Sequence, residues 1–146
     1  MYLDNKIAVV IPCYNVAQHI ERVVGSLPDF IDSIVLIDDH SADSTANILA
    51  SLAAADSRIH LISHSENQGV GGAMISGFNY AMTADIDIVV KIDGDGQMDS
   101  AFIAPLLDSM TADTNNCWSM LSTVGATSIS SIVCPMPSVQ ICEVTM

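Results

Sequence analysis

The sequence predicts an α/β fold, an open and mostly parallel sheet with helices on both faces. Half of the 146 residues are hydrophobic and only 14% are charged, which is too apolar for a disordered chain and suits strands buried on both sides. Four apolar runs of strand length, at 7–11, 33–37, 59–63 and 86–92, start about 26 residues apart, the rhythm of βα units. The stretches between them carry apolar residues at helical spacing. A chain of this size can bury roughly 70% of its unfolded surface, enough for one core.

The first run ends in Pro12-Cys13-Tyr14-Asn15, and the next segment places Val16, Ile20, Val23, Val24 and Leu27 on a helical face that Pro28 terminates. After the second run, Asp43 or Ser44 is suited to cap a helix bearing Ile48, Leu49 and Leu52. The third run leads into a helix from Gly72 to Met82, and after the fourth, Ser100 can cap a helix reaching about Met110. Continuous apolar strands joined by helical crossovers imply parallel pairing with right-handed connections. Ligands of such sheets bind beyond the carboxyl ends of the strands.

Seventeen Asp or Glu against four Lys or Arg give a formal charge of -13. Affinity for a nucleic-acid backbone comes from neutralising its phosphates, so no nucleic-acid partner is expected. A phosphate-bearing substrate would need a cation. The N-terminus shows no basic segment followed by an apolar run and cleavage site, and no stretch reaches transmembrane length. A cytoplasmic protein with reduced thiols is expected, since Cys13, Cys117, Cys134 and Cys142 show no zinc-type spacing. Residues 1–110 read as one domain. From Thr114 onward the only charged side chain is Glu143, and no period of 2 or 3.6 is sustained. Residues 111–146 therefore read either as a natural apolar tail or, the favoured reading, as a frameshifted or disordered end.

Four segments carry the chemistry. In Val90-Lys91-Ile92-Asp93-Gly94-Asp95-Gly96-Gln97-Met98-Asp99, residues two apart point the same way, so Asp93 and Asp95 can converge beyond the strand. Mg²⁺ or Mn²⁺ takes such oxygen ligands and bridges carboxylate to phosphate; the bland alternative is an acidic turn capping the next helix. A calcium loop of EF-hand type is excluded by Met98 and Ala104, where it would need Gly and Glu. The second strand runs out through Asp38-Asp39-His40-Ser41-Ala42-Asp43, where one carboxylate could accept from a nucleobase N–H. Pro12 fixes a turn after the first strand, and Tyr14 is either a face for a base or a core residue. Asn67-Gln68-Gly69-Val70-Gly71-Gly72-Ala73 opens the third helix, whose free N–H groups can face an anion or pack closely on the sheet. The histidines His19, His40, His60 and His64 share no spacing and read as surface or helix decoration, with His40 set apart by its place in the acidic loop.

These motifs, in this order over residues 6 to about 110, resemble family 2 glycosyltransferases, nearest the branch of dolichyl-phosphate mannose and glucose synthases. The resemblance implies a GT-A fold, a Rossmann-like nucleotide-binding half that holds a nucleotide-diphosphate sugar and transfers the sugar with inversion. It implies substrate contacts from Pro12, Tyr14, Asn15, Asp38, Asp39, Ser41, Gly69, Gly71 and Asp93, and a Mg or Mn cation at Asp95 and Gln97. The acceptor would be a polyprenyl phosphate or glycan in cell-envelope polysaccharide biosynthesis, with the protein peripheral at the inner face of a membrane. His40 stands where the family usually has Gly. No segment after Met110 matches the elements that supply the catalytic base and acceptor site, so the chain reads as truncated after the donor half. A nucleotide-binding fragment without turnover and a sugar nucleotidyltransferase are the alternative functions, the latter lacking its glycine-rich, arginine-bearing loop here.

Overall fold

The apolar run beginning at Ile7 extends as strand β1 (Ile7–Cys13), with every residue buried except the half-buried Pro12. The computed structural model describes residues 4–97, 99–111 and 140–143. After β1 come α1 (Ile20–Gly25), β2 (Ser33–Asp38), α2 (Thr45–Ala55), β3 (Ile59–Ser63), α3 (Gly69–Thr83) and β4 (Ile88–Lys91). A 3₁₀ turn (Ser100–Phe102), α4 (Ile103–Thr111) and β5 (Gln140–Glu143) complete the described elements. The sheet has the order β3-β2-β1-β4-β5 and all four ladders are parallel.

Side-chain alternation divides the core in two. Ile7, Val9, Ile11 and Cys13 of β1, with Ile34 and Leu36 of β2 and Ile88 and Val90 of β4, face Ile20, Val23, Leu49, Ile103 and Leu107 of α1, α2 and α4. The opposite residues, Ala8, Val10, Val35, Ile37 and Val89, face Ala73 and Ala81 of α3. Helix α3 can lie close because Gly77 presents no side chain: a Cβ there would meet Val10 Cγ1 at 2.5 Å and Ile37 Cδ1 at 3.3 Å.

Several boundaries differ from the sequence reading. Pro12 lies within β1, paired with Ile37, and is not in a turn. Asp39 N donates to Cys13 O and Ile92 N to Val10 O, so odd β1 residues address β2 and even ones address β4. Pro12 therefore falls on the β4 side, past the last paired residue Val10, where its missing N–H leaves no ladder bond unmade. The fourth helical segment is capped by Asp99, whose Oδ1 accepts from Ala101 N at 2.9 Å, and not by Ser100, whose hydroxyl donates to Ser26 O at 2.6 Å. Helix α3 begins at Gly69, three residues before the expected start, because that glycine adopts φ +73° and so carries the chain from the loop into the helix.

The fifth strand departs most from expectation. Residues 140–143, inside the segment read as an apolar tail or a frameshifted or disordered end, pair in parallel with β4 from Ile88↔Gln140 to Lys91↔Glu143. An interior apolar strand such as β4 leaves a row of backbone donors and acceptors open on its far side, and a short extended segment satisfies them. The remainder of the expected tail, 112–139 and 144–146, lies outside the described residues.

Candidate functional site

The strand order reverses between β1 and β4, because β1 continues to β2 on one side while the chain reaches β4 only after β3 and α3. At such a switch point the loops leaving two adjacent strands diverge and open a crevice. A cleft of about 350 Å³ lies there. Pro12, Cys13 and Tyr14 line it from the end of β1, Asp39 from the end of β2, Gly69, Val70 and Ala73 from the start of α3, and Asp93, Gly94 and Asp95 from the end of β4. Tyr14 keeps 52% of its surface exposed at the mouth, so it is not a core tyrosine.

Of the residues singled out from sequence, Pro12, Tyr14, Asp39, Gly69, Asp93 and Asp95 are thus brought together. Asn15, Asp38, Ser41, Gly71 and Gln97 stand outside the lining. Asn15 and Ser41 bind each other's loops: Asn15 N donates to Ser41 Oγ at 3.2 Å and Ala42 N donates to Asn15 Oδ1 at 3.0 Å. Val16 N donates to Thr45 Oγ1 at 2.9 Å, which ties the first of these loops to the start of α2. Asp38 is buried and accepts from Ser41 N at 3.1 Å, closing the turn in which His40 takes φ +60°. Left-handed backbone at a non-glycine residue costs of order 1 kcal/mol, which accounts for glycine being the residue expected at this position.

Asp39 is the most constrained cleft residue, 3% exposed. Its Oδ1 accepts from Gln68 N at 2.8 Å and lies 2.7 Å from His64 Nδ1, while His64 Nε2 lies 2.8 Å from Ser76 Oγ. Burial pushes the Asp39 carboxyl up, but the Gln68 N–H, the His64 ring and the Gly69 N–H together hold it below the usual carboxylate value. His64 is therefore not surface decoration. The signal that locates it is register: Asp38 pairs with Ser63, which sets Asp39 beside His64 as both chains leave the sheet.

Sequence reading also missed two basic side chains near the acidic loop. Lys91 Nζ lies 3.3 Å from Asp93 Oδ1, and Arg22 Nη2 donates to Gly96 O at 3.5 Å. Within that loop Asp95 Oδ1 accepts from Gln97 N at 3.0 Å, so Gln97 contributes its backbone to the turn. Cys13 also lines the cleft, but burial and the neighbouring Asp38 push its thiol up to about 12, which leaves it inert as a nucleophile.

Among the described residues no three His, Cys, Asp or Glu side chains gather into a metal-enclosing set. The pair Asp93 and Asp95 at the cleft nevertheless fits a hard divalent ion of the kind that takes one or two protein carboxylates and completes its shell with phosphate and water. No helix among the described residues is long and apolar enough to cross a membrane.

Comparison with known proteins gives a consistent set of likenesses. The family model described as Glycosyl transferase family 2 matches residues 8–124. Undecaprenyl-phosphate mannosyltransferase of Micrococcus luteus is 30% identical over 111 residues, 74% of this chain and 46% of that protein. UDP-N-acetylglucosamine--dolichyl-phosphate N-acetylglucosaminyltransferase of Methanococcus voltae is 32% identical over 124 residues, 76% of this chain and 49% of that protein. The chain thus spans about half the length of these curated relatives. Among solved structures, S. aureus TarS 1-349 superposes with a TM-score of 0.63 at 17% identity, over 88% of this chain and 42% of that one. Its complex with UDP gives 0.60 at 21% identity, over 88% and 41%.

Proposed function

The chain belongs to glycosyl transferase family 2, and on that premise we propose that its cleft holds a nucleotide-diphosphate sugar whose sugar is transferred, with inversion, to an acceptor. The fold is the GT-A fold. The observation that carries the proposal is the convergence of Tyr14, Asp39, the start of α3 and the Asp93–Asp95 loop on one crevice at the switch point of the sheet.

In this reading the base lies against Tyr14 and Pro12 and donates to Asp39. Asp93 faces the ribose or sugar, and the first turn of α3 at Gly69 turns N–H groups toward negative charge. Asn15, Asp38 and Ser41 shape the surrounding loops, and Gly71 lies in the first turn of α3. Asp95, supported by Asp93 and by the Gln97 N–H, would hold Mg²⁺ or Mn²⁺. When bound, such an ion neutralises charge on the diphosphate. An acidic chain without that neutralisation repels its own substrate.

The relatives whose names specify undecaprenyl and dolichyl phosphates support a polyprenyl phosphate as acceptor over a glycan; work at the inner face of a membrane in cell-envelope synthesis is part of the same proposal. A phosphate oxygen is already anionic near neutral pH, so its attack needs no protein base. That suits a cleft in which Asp39 is engaged with His64 and Asp93 with Lys91.

Calorimetric titration of the chain with UDP and GDP, with Mn²⁺ and then with excess chelator, tests the reading. One of the two nucleotides is expected to bind, and only with the cation. Failure of both to bind overturns the donor site; binding indifferent to chelator overturns the metal.

A further inference from the structure

We infer that His64 is a positioning residue for nucleotide recognition: by donating from Nδ1 to Asp39 while Nε2 accepts from Ser76, it fixes the direction in which the Asp39 carboxylate meets the base. The inference rests on the donor-site reading above. It concerns a side chain that does not itself line the cleft.

His64 and Asp39 are both almost wholly buried, with side chains 6% and 5% exposed. The residue is held at three points, two of them on the ring. Its backbone N–H donates to Asp38 O at 2.9 Å, continuing the β2–β3 ladder one residue beyond the strands. Its Nδ1 meets Asp39 Oδ1 at 2.7 Å, and its Nε2 meets Ser76 Oγ, on the second turn of α3, at 2.8 Å.

Partner chemistry settles the ring's proton. An ionised carboxylate only accepts, whereas a hydroxyl can give or take. In the neutral ring Nδ1 must therefore carry the hydrogen, and Nε2 receives the Ser76 hydroxyl. Gln68 N, at 2.8 Å, donates to the same Oδ1. Two donors on one oxygen pin the carboxylate's rotation and so the direction of Oδ2. Asn67 Nδ2 adds a bond to Asp39 O at 3.2 Å. The carboxylate is thereby referenced to β2, β3 and α3 together, and α3 is the helix whose first turn borders the same cleft. A recognition group held this way pays its orientational entropy during folding and not on binding.

Two measurements test this. The imidazole ¹⁵N shifts of the chain without nucleotide should show His64 protonated at Nδ1 and bare at Nε2 at pH 8; the opposite tautomer overturns the arrangement. In titrations with the nucleotide that binds, with Mn²⁺, His64→Ala should weaken affinity about tenfold or more, the scale of a lost bond to a charged group. His64→Asn, whose amide nitrogen reaches the place of Nδ1, should recover most of that loss. His64→Gln, which reaches the place of Nε2, should not. Equal losses in the Asn and Gln variants, or an affinity loss that merely follows the fall in thermal stability across the three, would assign His64 to packing alone. Wild-type chain that binds neither UDP nor GDP would overturn the donor site and this role with it, while the tautomer result would still stand on its own.

Discussion

Lys91 Nζ sits 3.3 Å from Asp93 Oδ1, the lysine side chain 9% exposed and the aspartate 42%. The last residue of β4 thus partly neutralises the first acid of the loop that follows, so Asp95 carries the greater share of negative charge offered to a ligand. Replacing Lys91 by Met keeps most of the stem's packing and removes the charge. Exposed pairs are worth roughly 0–1 kcal/mol, and breaking a buried one costs about 3–5 kcal/mol. Here the charge left behind, on Asp93, is the exposed partner, so the loss in denaturant unfolding should stay within about 1 kcal/mol. Mn²⁺ affinity should rise in the same variant, because a local positive charge has gone; unchanged or weaker Mn²⁺ binding would place the cation away from Asp93.

Asp95→Asn removes ligand charge at nearly constant volume. Asp95 lines the cleft, and its described bond is to Gln97 N within its own turn, so thermal stability should stay within about 0.5 kcal/mol of wild type. Cation-dependent nucleotide binding should fall about tenfold or more. Calorimetry with and without Mn²⁺ separates this from a general loss, since only the cation-dependent part should change.

Asp39→Asn replaces an acceptor with a group that also donates. Nucleotide preference between UDP and GDP should shift, measured as the ratio of the two dissociation constants. Stability against pH should change as well. Its neighbours hold the folded Asp39 carboxyl below the ordinary carboxylate value, so its contribution is fully present above the unfolded value of about 3.9 and is lost as pH falls through the lower folded value. Thermal melts from pH 6 down to pH 2 should therefore fall more steeply for wild type than for Asp39→Asn. Parallel curves would mean that Asp39 is not held ionised by its neighbours.

Gly77→Ala tests the seat of α3. An added Cβ would meet Val10 Cγ1 at 2.5 Å and Val10 Cγ2 at 3.1 Å, both on a fully buried strand residue. Ala has the better helix propensity by about 1 kcal/mol, so an isolated helix would gain. Overpacking costs about 1–3 kcal/mol, and the helix must lift from the sheet to relieve it. Net destabilisation in denaturant unfolding is expected, with weaker nucleotide binding because the first turn of α3 borders the cleft. Any stabilisation would show that α3 does not approach the sheet this closely.

The core strands were legible in the residues themselves because each is a continuous apolar run, and burial on both faces demands nothing else of a parallel strand. The three site loops were legible for a related reason: polar and glycine-rich residues that interrupt such runs at the carboxyl ends must lie at one edge of a parallel sheet. The order of apolar runs and interrupting loops therefore decided the α/β class, the parallel pairing and the side on which Tyr14, Asp39, Asp93 and Asp95 lie. What only the tertiary structure decided were relations that depend on register and on which helix covers which face. His64 looks like an isolated polar residue until Asp38↔Ser63 pairing sets it against Asp39 and the packing of α3 brings Ser76 to its other nitrogen. Asn15 and Ser41 carry the same chemistry as cleft residues in one dimension, yet in space they spend it on each other. Strand β5 has too few residues to declare itself, and it exists because β4 exposes an edge that needs a partner. Local apolar patterning is written residue by residue, whereas a hydrogen bond across 25 residues is chosen by the geometry that folding creates.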